Sequence, residues 1–434
     1  MNEKPMTIFI LSREYPPFTI GGVSTVAYSL AKGISSLIDG NIVVITNTTE
    51  EVNSYETYDN LHIYRVANKD IYTNNTKLSD AIIKSHHRIL KGINYLVNKL
   101  GAPDIILLPD LFCFPEAKVI SKLHNCPIVN ILSQDFRKIV PYDKNTFHMV
   151  SNATFANHDS LFSLEEKSLR MSNYNVFVSD SLSKSINENY NLESNNQSVI
   201  YLGIIPDEML PLAGEEYVKR RKTVADPQEI LFVACGRLVP VKGMNYLIEA
   251  FYLLKKKISN IKLIIIGVGP ELIYLKDLVN LYNLEDQVIF LGDMPRKEAL
   301  IYFKIADIAV IPSIWESFCY VAAEFMGIGK PIVCSGVDSL NELIRDGVDG
   351  IKVPIHMKGE KRTLNPKDVF RGMLRFIEEP NIANEMAESA KKRAQTNFNN
   401  NLFINGIISI CNKLLFEKSN KNIIEVVDDK RRNN

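Results

Sequence analysis

Two glutamates, eight positions apart, interrupt an otherwise apolar stretch in the second half of the chain. They are Glu316 and Glu324 in "PSIWESFCYVAAEFMGIGKP". The first follows a predicted strand and the second lies in a helix predicted over 318–328, so helix rise would separate them by about 12 Å. Carboxylates accept hydrogen bonds from hydroxyl groups. The two carboxylates could bind the two ends of one hydroxyl-rich ligand. The alternative is that one glutamate stabilises the helix start and the other is exposed to solvent.

Two cations follow an earlier predicted strand. Arg237 and Lys242 are five residues apart in "CGRLVPVKGMN", just ahead of a helix. Arg binds phosphate oxygens in bidentate fashion, Lys acts as a point charge, and a helix start favours anions. A solvated loop with two exposed cations is the alternative. Three backbone amides at the start of the 318–328 helix could donate further hydrogen bonds to phosphate oxygens. A diphosphate is therefore the favoured ligand. These are the amides of Phe318, Cys319 and Tyr320.

The composition is that of a globular protein with no overall charge. Of 434 residues, 46% are apolar and 23% charged, and 50 Lys and Arg balance 50 Asp and Glu. This balance leaves no overall positive charge that would attract nucleic acid, so any binding of anions must depend on local groups of charges. The six cysteines form no C-x-x-C pair, which favours free thiols in a reducing compartment. The first apolar run is too short for a signal peptide, and we expect a cytoplasmic protein.

Short apolar runs alternate with helical patterns along the whole chain. The first run is followed by a Gly-rich turn and an amphipathic helix in "IFILSREYPPFTIGGVSTVAYSLAKGI". This strand, turn and helix are the first unit of a doubly wound α/β sheet. The alternation stops in a polar, charged stretch over 206–228, which is typical of an interdomain connection, and then restarts. We therefore predict an N-terminal Rossmann-like domain over 1–205, a second one over 206–384, and a terminal helix with a charged tail over 385–434.

Several segments resemble the GT-B glycosyltransferases, specifically the large retaining family 4, the glycosyl transferases group 1. They include "GRLVPVKGMNYLIEAF", "VIFLGDMPRKEAL", "ADIAVIPSIWESFCYVAAEFMGIGKPIV" and "NELIRDGVDGIKV". The first half matches more loosely, through "YPPFTIGGVSTVAYSLAKGI" and "YNVFVSDSLSKSI". The resemblance implies two Rossmann-like domains facing across a cleft, with the acceptor on the first and the nucleotide-sugar donor on the second. It also implies that the final helix returns to the first domain.

The resemblance assigns roles to single residues. Arg237 and Lys242 would hold the donor diphosphate, Glu324 the ribose hydroxyls and Glu316 the transferred sugar. Gly22 would approach the phosphates from the first domain. The loop from Gly292 to Pro295, which includes Met294, would contact the base mainly through backbone groups.

Three positions depart from the family pattern around the sugar pocket. The usual His after "PIVNIL" is replaced by Ser133, and Gln134 or Asp135 could substitute for it. The usual Gly-Phe-Gly after the first glutamate is Ser317-Phe318-Cys319, and a Gly-Gly pair before Glu342 is Asp338-Ser339. These changes leave the phosphate contacts intact and affect the sugar pocket.

The sequence thus predicts a hexosyltransferase that retains anomeric configuration and takes a nucleoside diphosphate sugar, with UDP-sugar favoured over GDP-mannose. No histidine is spaced with other ligands for a metal, so we expect neither metal nor other cofactor. The acceptor is an unidentified hydroxyl compound. A basic helix over 79–100 suits contact with a membrane surface, but packing on the sheet is favoured. A nucleotide-sugar binder without activity is the main alternative, and a nucleotide-sugar 2-epimerase is a weaker one.

Overall fold

The structure is a computed structural model of the chain. It describes residues 5–18, 21–68, 78–139, 158–192, 196–359 and 361–432, with side chains for all of these except 78–85, 158 and 421–432. The strands are β1 (Met6–Leu11), β2 (Gly40–Thr48), β3 (Ser54–Tyr58), β4 (Leu61–Ala67), β5 (Ile105–Leu108), β6 (Ile128–Leu132), β7 (Tyr174–Phe177), β8 (Gln197–Val199), β9 (Ile230–Cys235), β10 (Ile261–Ile266), β11 (Val288–Gly292), β12 (Ile308–Ile311), β13 (Ile332–Ser335), β14 (Ile351–Val353), β15 (Ile355–Lys358) and β16 (Lys361–Leu364). The helices are α1 (Gly22–Ser35), α2 (Leu78–Leu100), α3 (Phe114–His124), α4 (Phe136–Ile139), α5 (His158–Met171), α6 (Asp180–Tyr190), α7 (Gly214–Lys222), α8 (Met244–Lys255), α9 (Leu272–Leu281), α10 (Arg296–Ile305), α11 (Tyr320–Ile328), α12 (Asp338–Leu343), α13 (Pro366–Glu378), α14 (Pro380–Asn397) and α15 (Asn400–Arg432).

The first half forms one eight-stranded sheet in the order β3-β4-β2-β1-β5-β6-β7-β8. All neighbouring strands are parallel except β3, which pairs antiparallel to β4. The central strands are apolar and buried, as expected for a sheet covered by helices on both faces. Strand β3 was not predicted, because "SYETY" is a polar edge strand that lacks the apolar run on which the prediction relied.

The second half forms a six-stranded parallel sheet in the order β11-β10-β9-β12-β13-β14. The strand order therefore reverses between β9 and β12, and in the first sheet it reverses between β1 and β5. Ligands of doubly wound sheets bind at the carboxyl ends of strands beside such reversals. A separate antiparallel hairpin, β15 and β16, follows the sheet and was not predicted.

The polar stretch over 206–228, predicted as an interdomain connection, contains the helix α7. Arg221 on this helix is buried and fixes it to the second domain, since its guanidinium donates to the Ile305 carbonyl at 2.7 Å and to Asp307 Oδ2 at 2.6 Å. The charged composition of the stretch gave no sign of this anchor. Any hinge in this stretch must therefore lie before α7.

The C-terminal region, predicted as one helical tail, is two helices broken at 398–399. At this break the chain pairs with Ile204, whose amide donates to the Phe398 carbonyl at 2.8 Å and whose carbonyl accepts from Asn400 at 3.0 Å. Helix α15 then packs on α1, where a Cβ at Gly33 would lie 2.4 Å from Ile404 Cγ1. The last helix therefore returns to the first half, as the GT-B fold requires.

Helix α2 carries the basic residues considered for membrane contact. Arg88 donates to the Ala67 carbonyl at 3.1 Å, and Lys99 Nζ lies 4.0 Å from the centre of the Tyr55 ring. Two of the cations are thus used within the first domain, while the Lys84 side chain lies outside the described residues. Within the described part of the chain, no helix has the length and apolar character needed to cross a lipid bilayer.

Candidate donor site at the strand reversal

Lys242 and Glu316 meet at the reversal point of the second sheet. Lys242 ends a 3-10 turn after β9, and Glu316 lies in the loop after the neighbouring β12. Gly243 makes the approach feasible: its φ is +63°, and a Cβ there would lie 2.1 Å from the Pro312 carbonyl oxygen. Lys242 Nζ lies 2.7 Å from Glu316 Oε1 as a result.

The Glu316 carboxylate is held on a second side by the preceding loop. The buried Ser313 hydroxyl donates to Glu316 Oε1 at 2.7 Å. Glu316 itself is only 5% exposed. A nearly buried carboxylate with a lysine and a hydroxyl on one oxygen has a fixed orientation, which suits it to bind a ligand in one position.

Helix α11 begins beside this pair. Cys319 precedes it with a left-handed φ of +72°, and its carbonyl accepts from the amides of Ala322 and Ala323. Over the ranges described, the amides of Phe318, Cys319 and Tyr320 donate to no protein group. They form the helix start at which an anion is stabilised.

The boundary of α11 differs from the predicted one. The helix was predicted from residue 318 and begins at Tyr320. Glu316 therefore lies in a loop, and the separation of about 12 Å that an ideal helix would give to the two glutamates does not apply. The Phe318 side chain is buried and packs on the rings of Tyr320 and Phe398, so only its backbone is available to a ligand.

Glu324 forms an ion pair that the sequence did not predict. Arg296, the first residue of α10, donates from Nε to Glu324 Oε1 at 2.6 Å and pairs through Nη1 with Glu208. Burial raises the pKa of Glu324 above its ordinary value, and the guanidinium opposes that shift. The available signal was the position of Arg296 just after β11, at the same sheet edge as the other site residues.

Met294 lies between β11 and Arg296 and is half-buried. Gly292 at the end of β11 has a φ of +73°, and its carbonyl accepts from the Gly267 amide at 2.8 Å. The loop predicted to contact the base is thus held against β10, on the Glu324 side of the site.

The first domain approaches α11 through its own Gly-rich turn. A Cβ at Gly22 would lie 3.9 Å from Tyr320 Cδ2, so the two helix starts nearly touch across the cleft. Glu14 shapes this turn by accepting from the Gly21 amide at 2.9 Å. The structure brings Gly22 to the same cleft as the residues of the second domain.

Two of the departures from the family pattern contact each other across the cleft. The Ser317 hydroxyl donates to the Ser133 carbonyl at 2.5 Å, and the Ser179 hydroxyl donates to the Ser317 carbonyl at 2.5 Å. Glycine at position 317 could not form the first of these bonds. The replacement therefore adds an interdomain hydrogen bond next to Glu316.

This contact separates two cavities. The lining of one cavity includes Gly21, Gly22, Ser133, Gln134 and Arg237. The lining of the other includes Glu316 and Ser317. The side chains of Arg237 and Gln134 form no ion pair or hydrogen bond with the residues described, so both are available to a ligand.

The remaining sugar-pocket candidates are fixed by neighbouring groups. Asp135 is buried and accepts from Ser185 Oγ at 2.5 Å and Asn189 Nδ2 at 3.0 Å, and burial raises its pKa. Its carboxylate is thus bound to α6. Asp338 keeps a left-handed φ of +33° where the family has glycine, and it pairs with Arg362 at 2.7 Å.

The His, Cys, Asp and Glu side chains that could bind a metal ion are dispersed over the described part of the chain. All six cysteines are free thiols. In the ranges given above for the structure, no three His, Cys, Asp or Glu side chains are grouped so that they could hold a metal ion.

Known proteins share this sequence pattern and architecture. Residues 216–393 match the family glycosyl transferases group 1. An uncharacterised glycosyltransferase of Methanocaldococcus jannaschii is 27% identical over 401 residues, which cover 89% of this chain and 93% of the relative. Sucrose-phosphate synthase of Thermosynechococcus elongatus has a TM-score of 0.76 at 16% identity, with 95% of this chain and 100% of that one covered.

A second solved structure has the same fold. Anabaena HepE in complex with UDP and glucose has a TM-score of 0.69 at 18% identity, with 93% of this chain and 98% of that one covered. The predicted GT-B architecture of two Rossmann-like sheets is confirmed. The chain thus has the fold of these structures, and residues 216–393 match the glycosyl transferases group 1 family.

Proposed function

We propose that the protein transfers a hexosyl group from a nucleoside diphosphate sugar to a hydroxyl acceptor, with retention of anomeric configuration and without a metal ion. One observation carries the proposal. The Lys242–Glu316 pair and the amides at the start of α11 lie at the strand reversal, and the Arg237 side chain, which has no ion pair or hydrogen bond in the described part of the chain, lines the adjoining cavity. Cations and amides at one end and a carboxylate beside them suit a diphosphate joined to a hydroxyl-rich sugar.

The proposed chemistry follows from where charge develops. The bond from the anomeric carbon to the phosphate oxygen breaks, and that oxygen becomes more negative. Arg237, Lys242 and the amides before α11 stabilise it there without a metal. The acceptor oxygen bonds to the anomeric carbon from the same face, and its proton passes to the departing phosphate oxygen.

Lys242 has a double role in this scheme. It lies within 2.7 Å of Glu316 and can contact phosphate oxygens at the same time, since an ammonium group has three donors. Glu316 accepts a hydrogen bond from a sugar hydroxyl and thereby places the anomeric carbon. Glu324, oriented by Arg296, accepts from the ribose hydroxyls. HepE was solved with UDP and glucose, and this supports a UDP-sugar as the first donor to test.

The test is turnover of a panel of sugars on UDP, GDP, ADP and TDP. Nucleotide release is measured, and the anomeric configuration of the product is determined by NMR. We expect release from one donor, reduced about 10²-fold or more in Arg237→Ala and Glu316→Gln. Arg375→Ala, an exposed arginine on α13, is the matched control and keeps full activity. An inverted product, or release unchanged in both site variants, would contradict the proposal.

A nucleotide-sugar binder without transfer is the second candidate. The observation that favours it is the Ser317–Ser133 hydrogen bond, which lies between the cavity of Arg237 and that of Glu316. Such a protein would bind the donor and release no nucleotide with any acceptor. The Ser317→Gly variant tests this directly: activity gained only on removal of the hydroxyl would support the binder.

A further inference from the structure

Helix α12 connects the carboxylate assigned to the sugar with the first domain. Its first turn holds the backbone of Glu316, and the Glu342 side chain near its end reaches α6. We propose that Glu342 is a positioning residue for transfer: by binding the start of α6, it couples contact between the domains to the orientation of Glu316. This inference rests on the proposed function, in which Glu316 binds the transferred sugar.

Both oxygens of the Glu342 carboxylate accept hydrogen bonds from the first domain. The Ser181 amide donates to Oε1 at 2.7 Å, and the Asp180 amide donates to Oε2 at 2.9 Å. These are the first amides of α6, and amides in the first turn of a helix have no partner within that helix. The helix dipole also favours a negative charge there. Glu342 thus supplies, from the second domain, a partner that α6 lacks on its own.

Tyr201, which follows β8, contacts the same carboxylate. Its hydroxyl oxygen lies 3.0 Å from Glu342 Oε2 and 2.8 Å from Asp180 Oδ2. Burial and the two carboxylates raise the pKa of Tyr201, so its hydroxyl stays protonated and donates. The Tyr201 ring packs edge-on against Phe398, with ring centres 5.5 Å apart. A donor fixed by ring packing therefore joins the two amides around Glu342.

The first turn of α12 holds the backbone of Glu316 on both sides. The buried Ser339 hydroxyl donates to the Glu316 carbonyl at 3.2 Å. Asp338 Oδ2 accepts from the Glu316 amide at 3.4 Å. The position of the Glu316 backbone therefore depends on the position of α12.

The other end of α12 is fixed within the second domain. Arg393 on α14 donates to the Glu342 carbonyl at 2.8 Å and to the Leu343 carbonyl at 2.9 Å. The helix has only six residues, so its two ends move together. A short rigid element of this kind can carry energetic coupling from one end to the other.

The start of α6 also contacts the residue next to Glu316. The hydroxyl of Ser179, which caps α6, donates to the Ser317 carbonyl at 2.5 Å. The same helix start therefore touches the Glu316 loop directly and reaches it again through Glu342 and α12. Two contacts on one helix start make the Glu316 loop sensitive to the docking of the first domain.

Hydrogen exchange at the start of α6 measures the Glu342 contact without a ligand. Mass spectrometry of the full-length protein follows the amides of Asp180 and Ser181. We expect exchange about tenfold faster in Glu342→Ala, because both amides lose a charged acceptor. Tyr201→Phe, which keeps the ring, has a smaller effect. The matched control is Asn341→Ala, an exposed neighbour on α12 whose side chain accepts from Lys352 at 3.1 Å, and it exchanges as the wild type does.

Coupling to the sugar is tested with UDP and UDP-glucose, or with the donor that turns over in the panel and its nucleoside diphosphate. Coupling is reciprocal, so a ligand held by Glu316 should also strengthen the domain contact. We expect UDP-glucose to slow exchange at the start of α6 more than UDP does. In calorimetry, Glu342→Ala weakens UDP-glucose about tenfold and UDP less than about twofold, since only the sugar depends on Glu316.

Exchange at the start of α6 that is equal in Glu342→Ala and Asn341→Ala would overturn the contact. Equal losses of affinity for UDP and UDP-glucose, or no loss for either, would overturn the coupling to the sugar. Turnover of a nucleotide sugar by wild type leaves the proposed function standing in both cases. If wild type binds no nucleotide sugar, the proposed function fails, and the role of Glu342 in transfer fails with it.

Discussion

Arg296 holds a buried carboxylate in place, and Arg296→Met should be severely destabilising. The Glu324 side chain is 5% exposed, and its Oε1 atom lies 2.6 Å from Arg296 Nε. Breaking a buried ion pair by removing one partner costs about 3–5 kcal/mol, because the remaining charge is uncompensated. Arg296 is 29% exposed, so water can partly replace it, and we expect about 2–4 kcal/mol.

The magnitude can be checked by thermal unfolding. A loss of about 2–4 kcal/mol lowers the Tm of a domain of this size by roughly 5–15 °C. The double variant Arg296→Met/Glu324→Gln should recover most of the loss, since a neutral amide needs no counter-charge. Arg375→Met is the matched control: its pair with Glu379 is 47% and 42% exposed, and we expect about 0.5 kcal/mol or less. The reasoning is refuted if Arg296→Met has the same Tm as Arg375→Met, or if adding Glu324→Gln to Arg296→Met does not raise the Tm.

Three further variants test separate parts of the structure. Burial raises the pKa of Glu165 from 4.5 to about 8, so the native state binds a proton that the unfolded chain releases between these values. Wild-type stability should then fall as pH rises through that window, by up to about 1.4 kcal/mol per unit, and Glu165→Gln should remove this slope in melting curves from pH 5 to 8. If the pH slope persists in Glu165→Gln, Glu165 is not the group that causes it. Cys319→Gly should melt above Cys319→Val, since only glycine adopts a φ of +72° without a cost of about 1 kcal/mol; equal melting temperatures would show that this conformation is unstrained. Lys242→Met should reduce nucleotide release about 10²–10³-fold, and release at the wild-type rate would remove Lys242 from the mechanism.

Much of the fold could be predicted because its signals are local. Each central strand is a short apolar run, and each following helix has an apolar face, so the alternation is visible along the chain. Edge elements such as β3 and the hairpin of β15 and β16 lack that signal, since their residues face solvent on at least one side. They were missed for this reason.

The sequence could place the candidate site only at the carboxyl ends of particular strands. Arg237, Lys242 and Glu316 were predicted as site residues because parallel strands bring such positions together at one sheet edge. Which cation faces which carboxylate depends on side-chain packing between segments distant in sequence. The Lys242–Glu316 and Arg296–Glu324 pairs are of this kind, as is the Ser317–Ser133 contact between domains.

The departures from glycine have a structural explanation that the sequence pattern lacked. Cys319 and Asp338 retain left-handed backbone angles at positions where the family has glycine. The turns are therefore preserved although the residues differ. What changes is the set of side chains near Glu316, to which Asp338 brings Arg362.

The assignment of Arg237 and Lys242 to a diphosphate site is tested most directly by calorimetric titration with UDP and with UMP. We expect wild type to bind UDP more tightly than UMP. We also expect Arg237→Ala to remove most of that difference while Arg375→Ala keeps it. Equal affinity for the two nucleotides, or a preference for UDP that survives in Arg237→Ala, would contradict the assignment.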